Sequence, residues 1–170
     1  MIEPTSNDVW LTETFRQYEL PLMGYVTHLL GDADRASDVV QDAFVRLCNQ
    51  PRSDVIDCVQ AWLYRVCRNR ALDILKKEKR MKTLDDVTAS KAEGRETAPE
   101  ATMQNRESYQ AANRLIAELP SNQQEVIRLK VQGGFSYREI SELTGLSVSN
   151  VGYLLSTGLK HVRQRMAAIE

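Results

Sequence analysis

The sequence predicts an all-α fold, organised as two small helical domains joined by a flexible linker. Three observations carry that expectation. Apolar residues recur at helical spacing through both ends of the chain, and strand-like alternation is almost absent. Capping residues and turn glycines punctuate those periodic stretches where helices of ordinary length would begin and end. Between them TLDDVTASKAEGRETAPEATMQ (83–104) has no apolar stripe and is rich in Ala, Thr and Glu, so it has little to bury. The expected units are 7–82 and 105–168, with 83–104 as the linker.

In the first unit a helix should cover about 8–30, with Pro21 able to kink it because proline removes a backbone donor. GDAD (31–34) supplies a turn and a cap for a second helix over about 34–49. Its apolar stripe is Ala36, Val40, Ala43, Phe44 and Leu47. The opposite side shows Asp38, Gln41, Asp42 and, unusually for a solvated face, Val45. A third helix should run from about Asp57 to Lys79 and bury Val59, Leu63, Val66, Cys67, Ala71 and Ile74. Its far side reads Arg65, Asn69, Asp73, Lys76 and Arg80, with Trp62 at the N-terminal end of that polar stripe. There the indole either offers a stacking plane among arginines and an amide, or packs sideways against the first helix.

In the second unit Ser121-x-x-Gln124 and Ser136-x-x-Glu139 both have capping-box form and mark two helix starts. The helix over 137–144 should end at Gly145, and Ser147 should cap a last helix from about 148 to 166. Ile140, Gly145, Leu146, Val151 and Leu154 hold the relative positions of a helix-turn-helix, a plain helical hairpin being the alternative. On the last helix Val151, Leu155, Leu159, Val162 and Met166 should face inward. Ser149, Tyr153, Ser156, Thr157 and Lys160 should face outward, with Asn150 at the N-terminal end. Such groups can hydrogen-bond base edges and phosphates. Gly158 lies beside the inward stripe, where it can permit close packing, whereas Gly152 has no evident role.

Composition narrows the chemistry. A chain of 170 residues with 42% hydrophobic and 26% charged side chains is ordinary for a soluble protein. MIEPTSND at the start is acidic and polar, unlike a signal peptide, and no apolar run approaches the roughly 18 residues of a membrane span. A cytoplasmic location is the expectation. Cys48, Cys58 and Cys67 do not fit zinc spacings and should be reduced residues filling apolar helix faces. There is no G-x-S-x-G, Walker loop or paired-carboxylate motif, so no catalytic residue, metal or cofactor is expected. The formal net charge of −1 conceals a strong asymmetry: residues 1–60 carry −6 and residues 61–82 carry +6. The turn and reader stretch GLSVSNVGYLL (145–155) has no charge at all.

SDVVQDAFVRL (37–47), AWLYRVCRNRALDILKKEKR (61–80) and LPSNQQEVIRLKVQGGFSYREISELTGLS (119–147) follow one another in this order. Together they resemble the extracytoplasmic-function sigma factors of bacterial RNA polymerase. The two-unit layout with a variable linker is part of the same resemblance, which covers all but the ends and the linker. It implies that the first unit is sigma domain 2 and the second sigma domain 4. The second helix would dock on the clamp helices of the largest polymerase subunit, which makes Asp38, Gln41, Asp42 and Val45 contact candidates. The third helix and the loop after it would read and melt the −10 element, through Trp62, Arg65, Asn69, Asp73, Lys76, Lys77, Arg80 and Lys82. Met81 and Leu84 could wall a base pocket there. The linker would thread toward the RNA exit channel. The last helix would enter the major groove of the −35 element, presenting Ser147, Ser149, Asn150, Tyr153, Thr157 and Lys160.

The partners implied are core RNA polymerase, promoter DNA and an anti-sigma factor, with no cofactor and no membrane insertion. Core polymerase would supply most of the nonspecific DNA affinity, so the reader helix can be nearly neutral. One departure stands out: members commonly carry a lysine or arginine just after the valine at 151, whereas this chain continues Gly152-Tyr153-Leu154. The −35 sequence therefore does not carry over with the resemblance. The rival reading is a stand-alone helix-turn-helix regulator with an N-terminal protein-interaction domain. The +6 segment holding Asn69 and Asp73, next to SDVVQDAF, favours the sigma reading.

Overall fold

The computed structural model describes residues 5–83 and 103–169, and every regular element among them is a helix. The chain divides between Thr97 and Ala98 into two compact units. The expected linker, 83–104, lies almost wholly outside the described residues, and so does Leu84.

The first unit contains α1 (Ser6–Leu30), α2 (Ala33–Cys48), the one-turn α3 (Arg52–Val55) and α4 (Val59–Lys82). A capping box starts α1: the Thr5 hydroxyl accepts from the Asp8 N–H, and the Asp8 carboxylate accepts from the Thr5 N–H. The helix continues through Pro21 and stops at Gly31, whose φ of 69° suits a residue without a Cβ. Asp32 then caps α2 by accepting from the N–H groups of Asp34 and Arg35. GDAD thus supplies the turn and the cap that its residues imply.

α1, α2 and α4 pack pairwise around one apolar core. Leu22, Tyr25, Val26, Ala36, Val40, Ala43, Leu47, Leu63, Cys67 and Ala71 are buried in it. Burying each Leu or Val fully stabilises the fold by about 1.5–3 kcal/mol before entropy is counted. Tyr64 joins this core although it lies outside the expected stripe; its ring centroid is 5.1 Å from that of Tyr25. Burial pushes its hydroxyl pKa up to about 12.

Three expectations for this unit need correction. First, α3 interrupts the connection, so the long helix starts at Val59 rather than Asp57 and runs on to Lys82. Pro51 opens this turn and Val55 is buried beneath it. Arg52 ties it to α1, with its guanidinium 5.3 Å from the Trp10 ring centroid and an N–H donated to the Ser6 hydroxyl. Second, Val59, Val66 and Ile74 are only half-buried, because they flank the stripe whose centre is Leu63, Cys67 and Ala71. Third, Cys48 and Cys58 are exposed. Cys48 is the last residue of α2 and Cys58 the N-cap of α4, positions where the helix surface opens to solvent. Cys67 does fill the core, and burial, with the Asp42 charge adding, pushes its thiol up to about 12. A thiol so protonated is unreactive.

The second unit contains α5 (Met103–Ala117), α6 (Ser121–Val131), α7 (Tyr137–Thr144) and α8 (Val148–Ala167). α8 is central to it and packs on α5, α6 and α7. Leu115, Leu119, Val126, Ile127, Leu129, Phe135, Ile140, Val151 and Leu155 are buried. The box at Ser136 forms in full, with the hydroxyl accepting from the Glu139 N–H and the carboxylate from the Ser136 N–H. The box expected at Ser121 does not form. Pro120 occupies the N-cap, which puts Ser121 at the first helical position. Gln124 turns back instead and donates its amide to the carbonyls of Ala117 and Leu119 at the end of α5. Orphan carbonyls are satisfied in place of orphan N–H groups.

Candidate polymerase and nucleic-acid interfaces

The three candidate surfaces lie on α2, α4 and α8. On α2, Asp38, Gln41 and Val45 are exposed, and Val45 leaves 60% of its surface to solvent. An apolar side chain held in water among acids and an amide is the feature a protein interface would cover. Asp42 differs from its neighbours. It is half-buried, its Oδ2 atom is shielded from solvent, and that oxygen lies 3.0 Å from Arg46 Nε. Asp38 and Asp42 also line a shallow cleft with Arg35, Val39, Arg70 and Ile74, between α2 and α4. The acids of the α2 face are therefore set among cations from both helices.

On α4 the outward residues Arg65, Asn69, Asp73, Lys76, Lys77, Arg80 and Lys82 are all exposed. Glu78 pairs with Arg35 of α2, which draws the one acid of the 76–82 segment away from the cationic face. Apart from Arg65 the cations gather toward the helix C-terminus, where Arg80 and Lys82 in the last turn offset the negative end of the macrodipole. Trp62 is half-buried at the head of this stripe. Met81, at the other end, is 70% exposed.

On α8 the local geometry is that of a helix-turn-helix. Gly145, at φ 75°, ends α7 and donates its N–H to the Ser141 carbonyl. The Ser141 hydroxyl donates to the Leu146 carbonyl at 2.6 Å, and the Leu146 N–H donates to the Thr144 hydroxyl. Ser147 then caps α8, its hydroxyl oxygen accepting from the Asn150 N–H. Val151 and Leu154 are buried, which fixes the rotation of α8 about its axis. That rotation exposes Ser149, Asn150, Tyr153, Ser156, Thr157 and Lys160 together. Ser147 is exposed as well, with its oxygen engaged in the cap. Two exposed side chains beside this face were not among the sequence candidates. Tyr137 is the first residue of α7 and Val148 the first of α8, 44% and 48% exposed. A large apolar or aromatic residue directly after a capping serine was the signal that marks them.

No helix among the described residues is long and apolar enough to cross a membrane. Residues 14–81 match the family model of Sigma-70 region 2, and residues 109–162 match that of Sigma-70, region 4. The chain is 30% identical over 146 residues to the ECF RNA polymerase sigma-E factor of Escherichia coli, covering 79% of this chain and 75% of that one. It is 26% identical over 157 residues to the RNA polymerase sigma factor SigZ of Bacillus subtilis, covering 91% and 85%. The sigma factor RpoE of Bartonella quintana, solved in complex with the anti-sigma factor NepR, has the same fold. Its TM-score is 0.71 at 19% identity, over 92% of this chain and 98% of that one. The region 2 match contains the acidic face of α2 and the basic stripe of α4 as far as Arg80, and the region 4 match contains the exposed polar face of α8. Joined to a relative at 30% identity, they place the chain in the extracytoplasmic-function sigma factors, which bind core RNA polymerase and direct it to initiate at promoters.

Proposed function

We propose that the sigma activity of this chain is divided among its three exposed helix faces. Asp38, Gln41, Asp42 and Val45 dock on the polymerase, with Val45 supplying apolar contact and the acids electrostatic complementarity. Trp62, Arg65, Asn69, Asp73, Lys76, Lys77, Arg80 and Lys82 take the −10 element. Ser147, Ser149, Asn150, Tyr153, Thr157 and Lys160 take the −35 element. The domain assignment is 7–82 for docking and melting, and 105–168 for −35 recognition, with 83–104 between them. The protein works in the cytoplasm and performs no catalysis of its own. An anti-sigma factor is its regulatory partner, as it is for the Bartonella quintana relative solved with one.

The exposed stripe of α4 carries this reading furthest, because it combines strand-binding cations, an amide and an accessible aromatic on one helix face. Opening a promoter requires a base to leave the stack, at a cost of a few kcal/mol. Stacking on Trp62 offsets about 1–3 kcal/mol of that. Asn69 can read the freed base edge, while Arg65, Lys76 and Arg80 hold the phosphates. Trp62→Ala and Asn69→Ala should therefore impair open-complex formation and leave holoenzyme assembly intact. A promoter already unpaired at −10 should partly rescue Trp62→Ala, whose deficit is the unstacking cost, and should not rescue Asn69→Ala. Permanganate footprinting with holoenzyme on paired and pre-melted templates measures both. Normal melting by both variants would reduce α4 to a scaffold.

A further inference from the structure

The DNA-facing side of the second unit includes a residue supplied by a different helix. Gly152 lies one turn after Val148 on α8. A methyl group added there would stand 3.5 Å from Cε2 of Tyr137, the first residue of α7. The Tyr137 ring therefore covers the spot where the reader helix has no side chain of its own. It is backed by Lys130, whose Nζ lies 5.5 Å from the ring centroid and donates to the Phe135 carbonyl at 3.1 Å. The ring still leaves the residue 44% exposed, with Val148 at 48% and Tyr153 at 65% on the neighbouring positions of α8.

We infer that Tyr137 is a specificity residue of the −35 reader, standing in for the missing side chain at Gly152, and that with Val148 and Tyr153 it selects thymine through the C5-methyl group. The inference rests on the reading of α8 as the −35 helix. Base chemistry leads to it by elimination. Guanine is read by an arginine or lysine fork on O6 and N7. The outward stripe of α8 offers no cation before Lys160. Nearby, Lys130 is held under the Tyr137 ring, and Arg138 pairs along α7 with Glu142 at 3.5 Å. Cytosine is read by a carboxylate accepting from its amino group, and residues 145–155 contain none. What remains is the hydroxyls of Ser149, Ser156 and Thr157, which bond to any base and discriminate little, an amide, Asn150, suited to adenine, and apolar surface suited to the thymine methyl.

The test uses holoenzyme reconstituted with the full chain and a promoter library randomised across the −35 element, with the −10 element fixed. Thymine should be enriched beside adenine. Each selected thymine is then replaced by deoxyuridine, which removes the methyl group alone. Wild type should lose about fourfold in promoter binding at a contacted position, the worth of one buried methyl-sized group. Tyr137→Ala should abolish that loss at one position, and Tyr137→Phe should retain it, because the ring makes the contact. Gly152→Arg, which leaves residue 137 unsubstituted and places a cation where the ring now lies, should admit guanine at that position and keeps the idea testable if Tyr137→Ala fails to fold. Enrichment of guanine by wild type, or indifference to deoxyuridine at every position, overturns the inference and leaves α8 as the reader. A holoenzyme with no −35 preference at all removes the assignment of α8, and this inference with it.

Discussion

Gly152 and Gly158 both sit inside α8, where glycine costs about 1 kcal/mol of helix stability relative to alanine. Their neighbours make them opposites. A Cβ at Gly158 would lie 2.8 Å from Ile127 Cδ1 and 3.5 Å from Leu119 Cδ1, whereas at Gly152 the nearest atom is at an ordinary 3.5 Å. Gly152→Ala should thus stabilise the second unit by up to about 1 kcal/mol. Gly158→Ala should show no such gain, and Gly158→Leu should lose about 1–3 kcal/mol by overpacking. Both tryptophans, Trp10 and Trp62, belong to the first unit, so urea unfolding must be followed by far-UV circular dichroism. A stable Gly158→Leu would mean that α6 and α8 do not approach as closely as these distances require. The role of Gly158 was legible in the sequence because it borders the inward stripe of its own helix. The role of Gly152 was not, since Tyr137 meets it from another helix. Asp42 was hidden for the same reason: periodicity puts it on an outward side, yet it faces Arg70 and Ile74 of α4 across a shallow cleft, and one of its carboxylate oxygens is shielded from solvent.

Helix ends show where local motifs suffice and where they fail. Ser136 and Ser121 carry the same S-x-x-E/Q signature, and only Ser136 forms the box. The difference lies in the residue before: Pro120 takes the cap position, and the Gln124 amide is drawn to the last carbonyl of the preceding helix and to that of Leu119 just beyond it. α3 escaped notice because four residues are too few for any period to register. The helices with long apolar stripes, and the turns at GDAD and TGLS, were legible from their own residues. The Ser136 box also makes a pH-dependent contribution. The backbone hydrogen bond from Ser136, followed by that of its side chain, holds the Glu139 carboxyl below its ordinary value of 4.5. A carboxyl lowered on folding adds stability above its unfolded pKa and loses it as pH falls through the folded value. Glu139→Gln keeps a side chain that can accept from Ser136 and removes only the charge. It should cost about 0.3–1 kcal/mol at pH 7, toward the lower end for so exposed a group, and nothing once the pH lies below the folded pKa. Chemical denaturation of both proteins across that range is the measurement. A difference that stays constant with pH would assign the effect to geometry and not to charge.

For the chain taken whole, the decisive quantity is the placement of charge and not its sum. A total of −1 combines −6 over residues 1–60 with +6 over residues 61–82, so general attraction to DNA is weak while one helix face attracts it strongly. The α8 face proposed for the −35 element adds little to that attraction, because Lys160 is the one cation on its outward stripe before the final turns. On the proposed assignment one reader is rich in cations and the other nearly neutral, so the second binds poorly when separate. Once core polymerase holds them at a fixed spacing, engagement of the first raises the effective concentration of the second. The free chain should therefore bind a duplex promoter no more tightly than nonspecific proteins do, at about 10⁻⁴–10⁻⁶ M in physiological salt, and should hardly distinguish a scrambled −35 element. The holoenzyme should distinguish it clearly. Lys160→Ala in the holoenzyme should weaken all sequences alike and lower the salt slope by about 1, the signature of a phosphate contact. Asn150→Ala should change which base is preferred, with about 1–3 kcal/mol lost at one position. Anisotropy titrations of free chain and holoenzyme over a range of salt separate these effects. Tight, sequence-specific binding of the free chain would contradict the division of labour, since the contacts on α8 alone would then suffice and the core enzyme would contribute no discrimination.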